Sequence, residues 1–358
     1  GDGLLTSWNT FQKYFTQKEF KEYLQNQLQT EVRMAGIGVA YIFKTDKYLD
    51  TYFDNRIQGH ARLISQELRE RELKENLAHW IESYHELGRP PRKDELEGYN
   101  NIIRFFGSRQ KAIEATRAEI DQETVKENAQ KKKNNILINT ARLIIKNNGT
   151  AKLQELSEEA QKDTRFFFAN FAEAKEQAMQ MLKNLANLET VSTYINQSPV
   201  GKILPDDLYI HKKSLTYAPE MLQLLVEMAL LIIPDDIPYN IIKIARNSHH
   251  VTFLQYNDFF GLPHPSLVGS MKVVLHKNQL KYRDFSKSDN PPILHRKELF
   301  IHPEHPEFEL FSQLTQAEEE AGLLQEKNIG FFRHWQELLR QKGYCIKDHL
   351  LKAANECA

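Results

Sequence analysis

The chain has 358 residues, 47 of them basic and 48 acidic, for a formal net charge of -1, and it is 27% charged and 41% hydrophobic. That length leaves room for two or three domains and a core that needs no staples, and the composition lies far from the disordered range. The balanced charge excludes a protein that is basic throughout, so any surface for a polyanion must be a local patch compensated elsewhere.

Residues 10 to 29 begin with Thr10 as a helix cap, and Phe11, Tyr14, Phe15, Phe20, Tyr23, Leu24 and Leu28 recur near helical spacing. EVRMAGIG and VAYIFKT follow, two short strand-like runs separated by Gly36 and Gly38, which predict a hairpin or a strand pair. One helix and two strands need more sheet to pack on. Residues 1–55 are therefore expected to be the closing elements of an α/β sheet, and a chain starting with Gly fits a fragment or a processed product.

From 56 to 197 the pattern is helical throughout, broken at LGRPPRKDE (87–95) and KNNGT (146–150). These breaks open a weak repeat with an offset of about 60 residues. Gly88, Leu96 and FFGSRQKA (105–112) are followed by Gly149, Leu156 and FFANFAEA (167–174). The first unit resembles the helix-turn-helix repeats that accompany some homing endonucleases, which would place Ser108, Arg109 and Lys111 near DNA. The second has Ala169 and Asn170 where Gly and Ser stand, and reads as structural. Lys131, Lys132 and Lys133 form a basic run that suits a solvated face better than a phosphate contact.

A proline-rich region with α+β character spans 198–310. Its strand candidates are YNIIKIA, VTFLQY, MKVVL and LKYRDF, and the apolar run 221–233, opened by Pro219 and interrupted by Gln223 and Glu227, reads as a core helix that is too short for a bilayer. A helical tail, 311–358, is acidic around Glu318, Glu319 and Glu320 and includes a helix over 331–341 with Trp335. The class expected for the whole chain is α+β. Cys345 and Cys357 lack metal-ligand spacing and fit a reducing, cytoplasmic setting.

Between 240 and 297 nine basic residues, Lys243, Arg246, Lys272, Lys277, Lys281, Arg283, Lys287, Arg296 and Lys297, face only Asp258, Asp284 and Asp289. Five histidines and the aromatics Tyr256, Phe259, Phe260 and Tyr282 lie among them. Cations for phosphates and aromatics for bases suit a polyanion. The same pattern also arises when cations alternate outward along strands and aromatics fill the core.

Within SDNPPILHRKE (288–298) two prolines stiffen the backbone, Ile293 and Leu294 anchor it, and His295, Arg296, Lys297 and Glu298 follow. In an extended segment His295 and Lys297 share one side. LYIHKKSL (208–215) repeats the order with His211 and Lys213. Together with Lys202, Lys243, Arg246, Arg283, Asn290 and Arg296, these residues are the expected phosphate contacts.

A nuclease would instead use Asp289 or Glu298 as metal ligands with His295 and Lys297 acting on the phosphoester. Only one such carboxylate pair is plausible, so no metal site is expected, and for His295 alone a core or hydrogen-bonding role is the commoner outcome. FLQYNDFFGLPHPSL (253–267) reads as a strand exit more than a second rim. SPVGK lacks the glycines of a phosphate loop, and no Gly-rich fingerprint for S-adenosylmethionine appears.

GDGLLTSWNTFQKYF (1–15), SPVGKILPDDLYIHK (198–212), VTFLQYNDFFGLPHPSL (251–267) and SDNPPILHRKE resemble, in order and spacing, the DNA phosphorothioation-associated methyltransferases. That family joins an S-adenosylmethionine-dependent domain to a C-terminal region of unassigned role, encoded near systems that place sulfur in the DNA backbone. The resemblance starts late in the methyltransferase fold. It implies S-adenosylmethionine in the full-length protein and no cofactor in this chain, with DNA and other components of the phosphorothioation system as partners. The function it implies is DNA binding and target recognition; the alternatives are a nuclease-like domain and a helical interaction scaffold.

Overall fold

In the computed structural model the described residues are 3–36, 38–49, 60–234 and 237–356, which leaves Cys357 outside them. The protein mixes helix and sheet, as expected of an α+β chain, and divides into two compact units, Gly1–Val125 and Lys126–Ala358.

In the first unit β1 (Gly3–Leu5) and β2 (Phe11–Lys13) form one antiparallel ribbon, and β3 (Val32–Gly36) and β4 (Val39–Ile42) form another. Between the ribbons runs α1 (Gln17–Leu28). Helix α1 does not start at Thr10. The Thr16 hydroxyl accepts from the Glu19 N–H and the Glu19 carboxylate accepts from the Thr16 N–H, so this capping box satisfies two free N–H groups at once. Thr10 instead meets the Thr6 hydroxyl at 2.7 Å across the β1–β2 turn.

Helices α2 (His60–Leu87), α3 (Tyr99–Phe106) and α4 (Arg109–Thr116) enclose Trp80, Leu96, Ile102 and Ala112. The break after α2 is held by Arg89. Its guanidinium, buried and forked onto Glu95 at 2.7 and 2.8 Å, fixes the loop, and Glu95 also accepts the Arg92 N–H at 2.9 Å.

The second unit begins inside α5 (Gln122–Lys146) and continues with α6 (Glu158–Phe167), α7 (Phe171–Asn184) and α8 (Leu188–Asn196). Two local hydrogen bonds recur at the two breaks. Glu155 accepts the Lys152 N–H at 2.7 Å, as Glu95 accepts that of Arg92. Asn170 accepts from Glu173 N–H at 3.0 Å, as Ser108 accepts from Lys111 N–H at 3.2 Å. Phe105 and Phe106 meet edge to face at 4.9 Å; in the second unit the edge-to-face pair is Phe166 and Phe167, at 5.1 Å, one residue before the Phe167–Phe168 pair that the sequence alignment matches. Asn and Ser are both good caps, so replacing the Gly-Ser pair kept the layout. In the Lys131–Lys133 run, Lys132 pairs with Glu159 at 2.5 Å and Lys133 lies over the Phe167 ring.

Six strands follow, β5 (Lys202–Ile203), β6 (Asp207–His211), β7 (Ile241–Ala245), β8 (His250–Tyr256), β9 (Leu267–Val274) and β10 (Gln279–Asp284), paired antiparallel in sequence order. Helix α9 (Glu220–Leu230) joins β6 to β7. Strand alternation separates the two faces. Leu208, Ile210, Ile242, Ile244, Val251, Phe253, Met271 and Val273 form one core with α9 and with Ile144, Ala178, Leu182 and Ile195 of the preceding helices. Helices α5, α7 and α8 thus belong to the same core as the sheet, whereas Phe167 of α6 packs in a separate small cluster with Ile136, Phe168 and Ala174.

On the other face, Ile241, Leu254 and Leu267 at one end are covered by Phe259, Leu294, Phe300 and Phe311. Phe311 comes from α10 (Phe308–Glu320); α11 (Phe332–Lys342) and the ribbon β11 (Tyr344–Lys347) and β12 (Leu350–Ala353) complete the tail. The rest of this face stays open, and it carries the cations.

Candidate functional site

Register places Lys243 opposite Thr252, Thr252 opposite Lys272, and Lys272 opposite Lys281, one row across four strands. Arg283 stands opposite Ser270 on the same face. Like charges directly across a ladder repel, so the Lys272–Lys281 pair costs stability unless an anion is near. Lys243 has Asp207 at 2.9 Å, whereas Lys272, Lys281 and Arg283 form no ion pair among the described residues. His250, beside them, is held below its ordinary value by burial and then by Lys272 and neighbouring imidazoles. The face forms a concavity of about 500 Å³ that also takes in Tyr209 and Tyr256.

Several other expected phosphate contacts turn inward. Arg246 donates to Ser192 and Asn196 of α8, both at 2.8 Å. Lys202 is half-buried over the Phe300 ring. His211 is buried against Phe259 and Phe260, and burial, followed by Lys213, pushes it down to about 3. Lys213, by contrast, stays exposed, with its ammonium 4.6 Å from the centre of the Phe260 ring. In the first unit Ser108 is a helix cap and Arg109 donates to the Pro90 carbonyl at 3.1 Å, whereas Lys111 is exposed.

The SDNPPILHRKE segment departs most from expectation, because it is not one extended polar edge. Arg296 adopts the left-handed conformation (φ 55) and Lys297–Phe300 forms a 3-10 turn, so the alternation that would put His295 beside Lys297 ends. Asn290 accepts the Arg333 N–H at 2.8 Å at the start of α11, and exposed Asp289 pairs with the Arg333 guanidinium. Arg296 pairs with Glu319.

Lys297 is buried and donates to the carbonyls of Phe259 and Leu262 at 2.9 and 2.6 Å, with His349 Nε2 at 3.0 Å and the Phe311 ring beneath it. Burial pushes its amine down to about 7. Glu298, raised by burial, accepts from Thr315 at 2.9 Å. These side chains tie loop 257–266 and α10 together and do not present themselves to a ligand. Asp289 and Glu298 stand in opposite environments, exposed and buried, so the carboxylate pair of the nuclease reading is not assembled.

Another cluster has no counterpart in any sequence spacing. His264, His295 and Glu318 come from the loop after β8, the NPPILHRKE segment and α10, and each offers a ligand atom within 4.8 Å of the others. His264 Nε2 is 2.8 Å from Glu318 Oε1, and His295 Nε2 contacts the Ile329 carbonyl at 2.8 Å. Trp335 packs on both imidazoles, with ring centres 4.9 and 4.5 Å away. Burial pushes His264 down to about 3 and His295 to about 4, and raises Glu318 to about 7. The segment 253–267 is therefore a strand exit that also delivers His264. The Pro-His-Pro frame around His264 was the one local hint of a fixed side chain.

No protein-family model, curated protein or solved structure matches the chain. Among the described residues every strand pair is antiparallel. No described helix is long and apolar enough to cross a membrane.

Proposed function

We propose that the chain is a DNA-binding, target-recognition portion of a methyltransferase associated with DNA phosphorothioation, and that the open sheet face contacts the phosphate backbone. The family part of this reading rests on the four sequence motifs. The binding part rests on one observation, the cross-strand row Lys243, Lys272 and Lys281 with Arg283 beside it, on a concave face with a single carboxylate, Asp207. Such a row neutralises phosphates without reading bases, so it predicts salt-dependent affinity with little sequence preference.

The test is fluorescence anisotropy of labelled duplex DNA over a salt series. Converting Lys272, Lys281 and Arg283 together to Ala is expected to lower the slope of log K against log salt by roughly 2 to 3, at about 0.9 per phosphate contact. An unchanged slope in the folded triple variant sinks the proposal. Running plain and phosphorothioate duplexes side by side tests the link to sulfur: equal affinities remove it and leave backbone binding standing.

A further inference from the structure

We propose that His264, His295 and Glu318 are the protein ligands of one divalent transition-metal ion of the zinc class, with a fourth position left for water. This inference does not depend on DNA binding. It starts from unused lone pairs. Among the described residues both oxygens of Glu318 lack a hydrogen-bond partner although its side chain is 1% exposed, and His264 Nε2, 2.8 Å from Oε1, makes no hydrogen bond to it. His295 Nδ1 is likewise buried and without a partner among the described residues. Native folds rarely leave three such atoms unsatisfied in one place, and an ion is among the ordinary explanations.

The surrounding chemistry points the same way. His295 Nε2, which carries the N–H, is turned to the Ile329 carbonyl, leaving Nδ1 as the lone-pair nitrogen. That is the usual outer contact of a ligating imidazole, fixing tautomer and ring orientation together. His264 stands between Pro263 and Pro265, His295 follows Pro291 and Pro292, and Glu318 projects from α10, so all three sit on stiff supports.

Ligands bound at 2.0 to 2.2 Å around one ion lie about 3 to 3.5 Å apart, so the observed spread, within 4.8 Å, closes with small side-chain rotations. Two imidazoles and one carboxylate suit zinc and its borderline neighbours and are a poor set for calcium or magnesium, which prefer oxygen. Trp335 covers one side of the cluster and supplies an optical reporter.

The experiment uses the full chain, stripped with chelator and titrated with Co²⁺. Expected are a visible d–d band saturating at one equivalent, loss of the band on adding Zn²⁺, and quenching of Trp335 emission that the Trp335→Phe variant lacks while still binding. His264→Ala and Glu318→Gln should each weaken binding at least 100-fold, with far-UV circular dichroism as the folding control. Proton NMR of the cobalt-loaded wild type should show paramagnetically shifted imidazole resonances, including a slowly exchanging N–H from His295, so a variant that fails to fold leaves the question decidable. Absence of the band and of shifted imidazoles, or binding undiminished in both folded variants, overturns the proposal.

Discussion

Replacing Lys297 by Met separates a structural lysine from a ligand-binding one. Met keeps the length and packing over Phe311 but removes every donor. Two carbonyls, those of Phe259 and Leu262, then lose their buried partner, and each orphaned acceptor costs about 1 to 3 kcal/mol. Removing a buried ammonium returns part of that by ending its desolvation. The net loss is expected at roughly 2 to 4 kcal/mol, or on the order of 1 M in the urea midpoint for a slope of about 2 to 3 kcal/mol/M. Urea unfolding followed by Trp335 emission measures it, since that indole lies in the same unit. The salt slope of DNA binding should stay unchanged in the folded variant, because the amine lies inside the fold. An unchanged midpoint together with a slope reduced by about one would refute this account and return Lys297 to the phosphate surface.

Buried His211 supplies a pH test. Its imidazole is neutral in the fold down to about 3, owing to burial and then to Lys213, His305 and Lys212, while the unfolded chain protonates near 6.5. The depressed value means that its stability contribution is complete above 6.5 and is lost as pH falls toward 3, at up to about 1.4 kcal/mol per pH unit. Denaturation midpoints of His211→Gln against wild type between pH 7 and 4.5 check this, and parallel curves would contradict it. In the first unit Glu95→Gln leaves the Arg89 guanidinium buried beside a neutral amide. A loss of about 3 kcal/mol is expected, read as faster hydrogen exchange across residues 80–116. Ser108→Ala and Asn170→Ala should each cost about 1 kcal/mol if the two caps are equivalent; a cost at only one site would break the repeat. Calorimetry with S-adenosylmethionine is expected to give no binding heat, and measurable affinity would show that the cofactor reading is wrong.

Periodicity made much of the fold legible. The strands of YNIIKIA, VTFLQY, MKVVL and LKYRDF, the core helix after Pro219 and the helix around Trp335 appear where alternation and helical spacing place them. Each buries a face that its own pattern defines. The start of α1 was misplaced because Thr10 and Thr16 are equally good caps in isolation. Only Glu19, reaching back to Thr16, distinguishes them. That α5, α7 and α8 share a core with the sheet is not readable either, since an apolar stripe does not name what covers it.

The candidate site divides the same way. Lys243, Lys272, Lys281 and Arg283 remain outward because period-2 alternation fixes their face, whatever covers the other. In SDNPPILHRKE the paired prolines and the apolar Ile293–Leu294 step dictate a stiff, anchored turn. Tertiary structure decided the rest: one left-handed residue, Arg296, ends the extended run, sends Lys297 and Glu298 inward and leaves His295 beside His264 and Glu318. Those three are distant along the chain, and the proximity of unpaired lone pairs is a property of packing that no local spacing encodes.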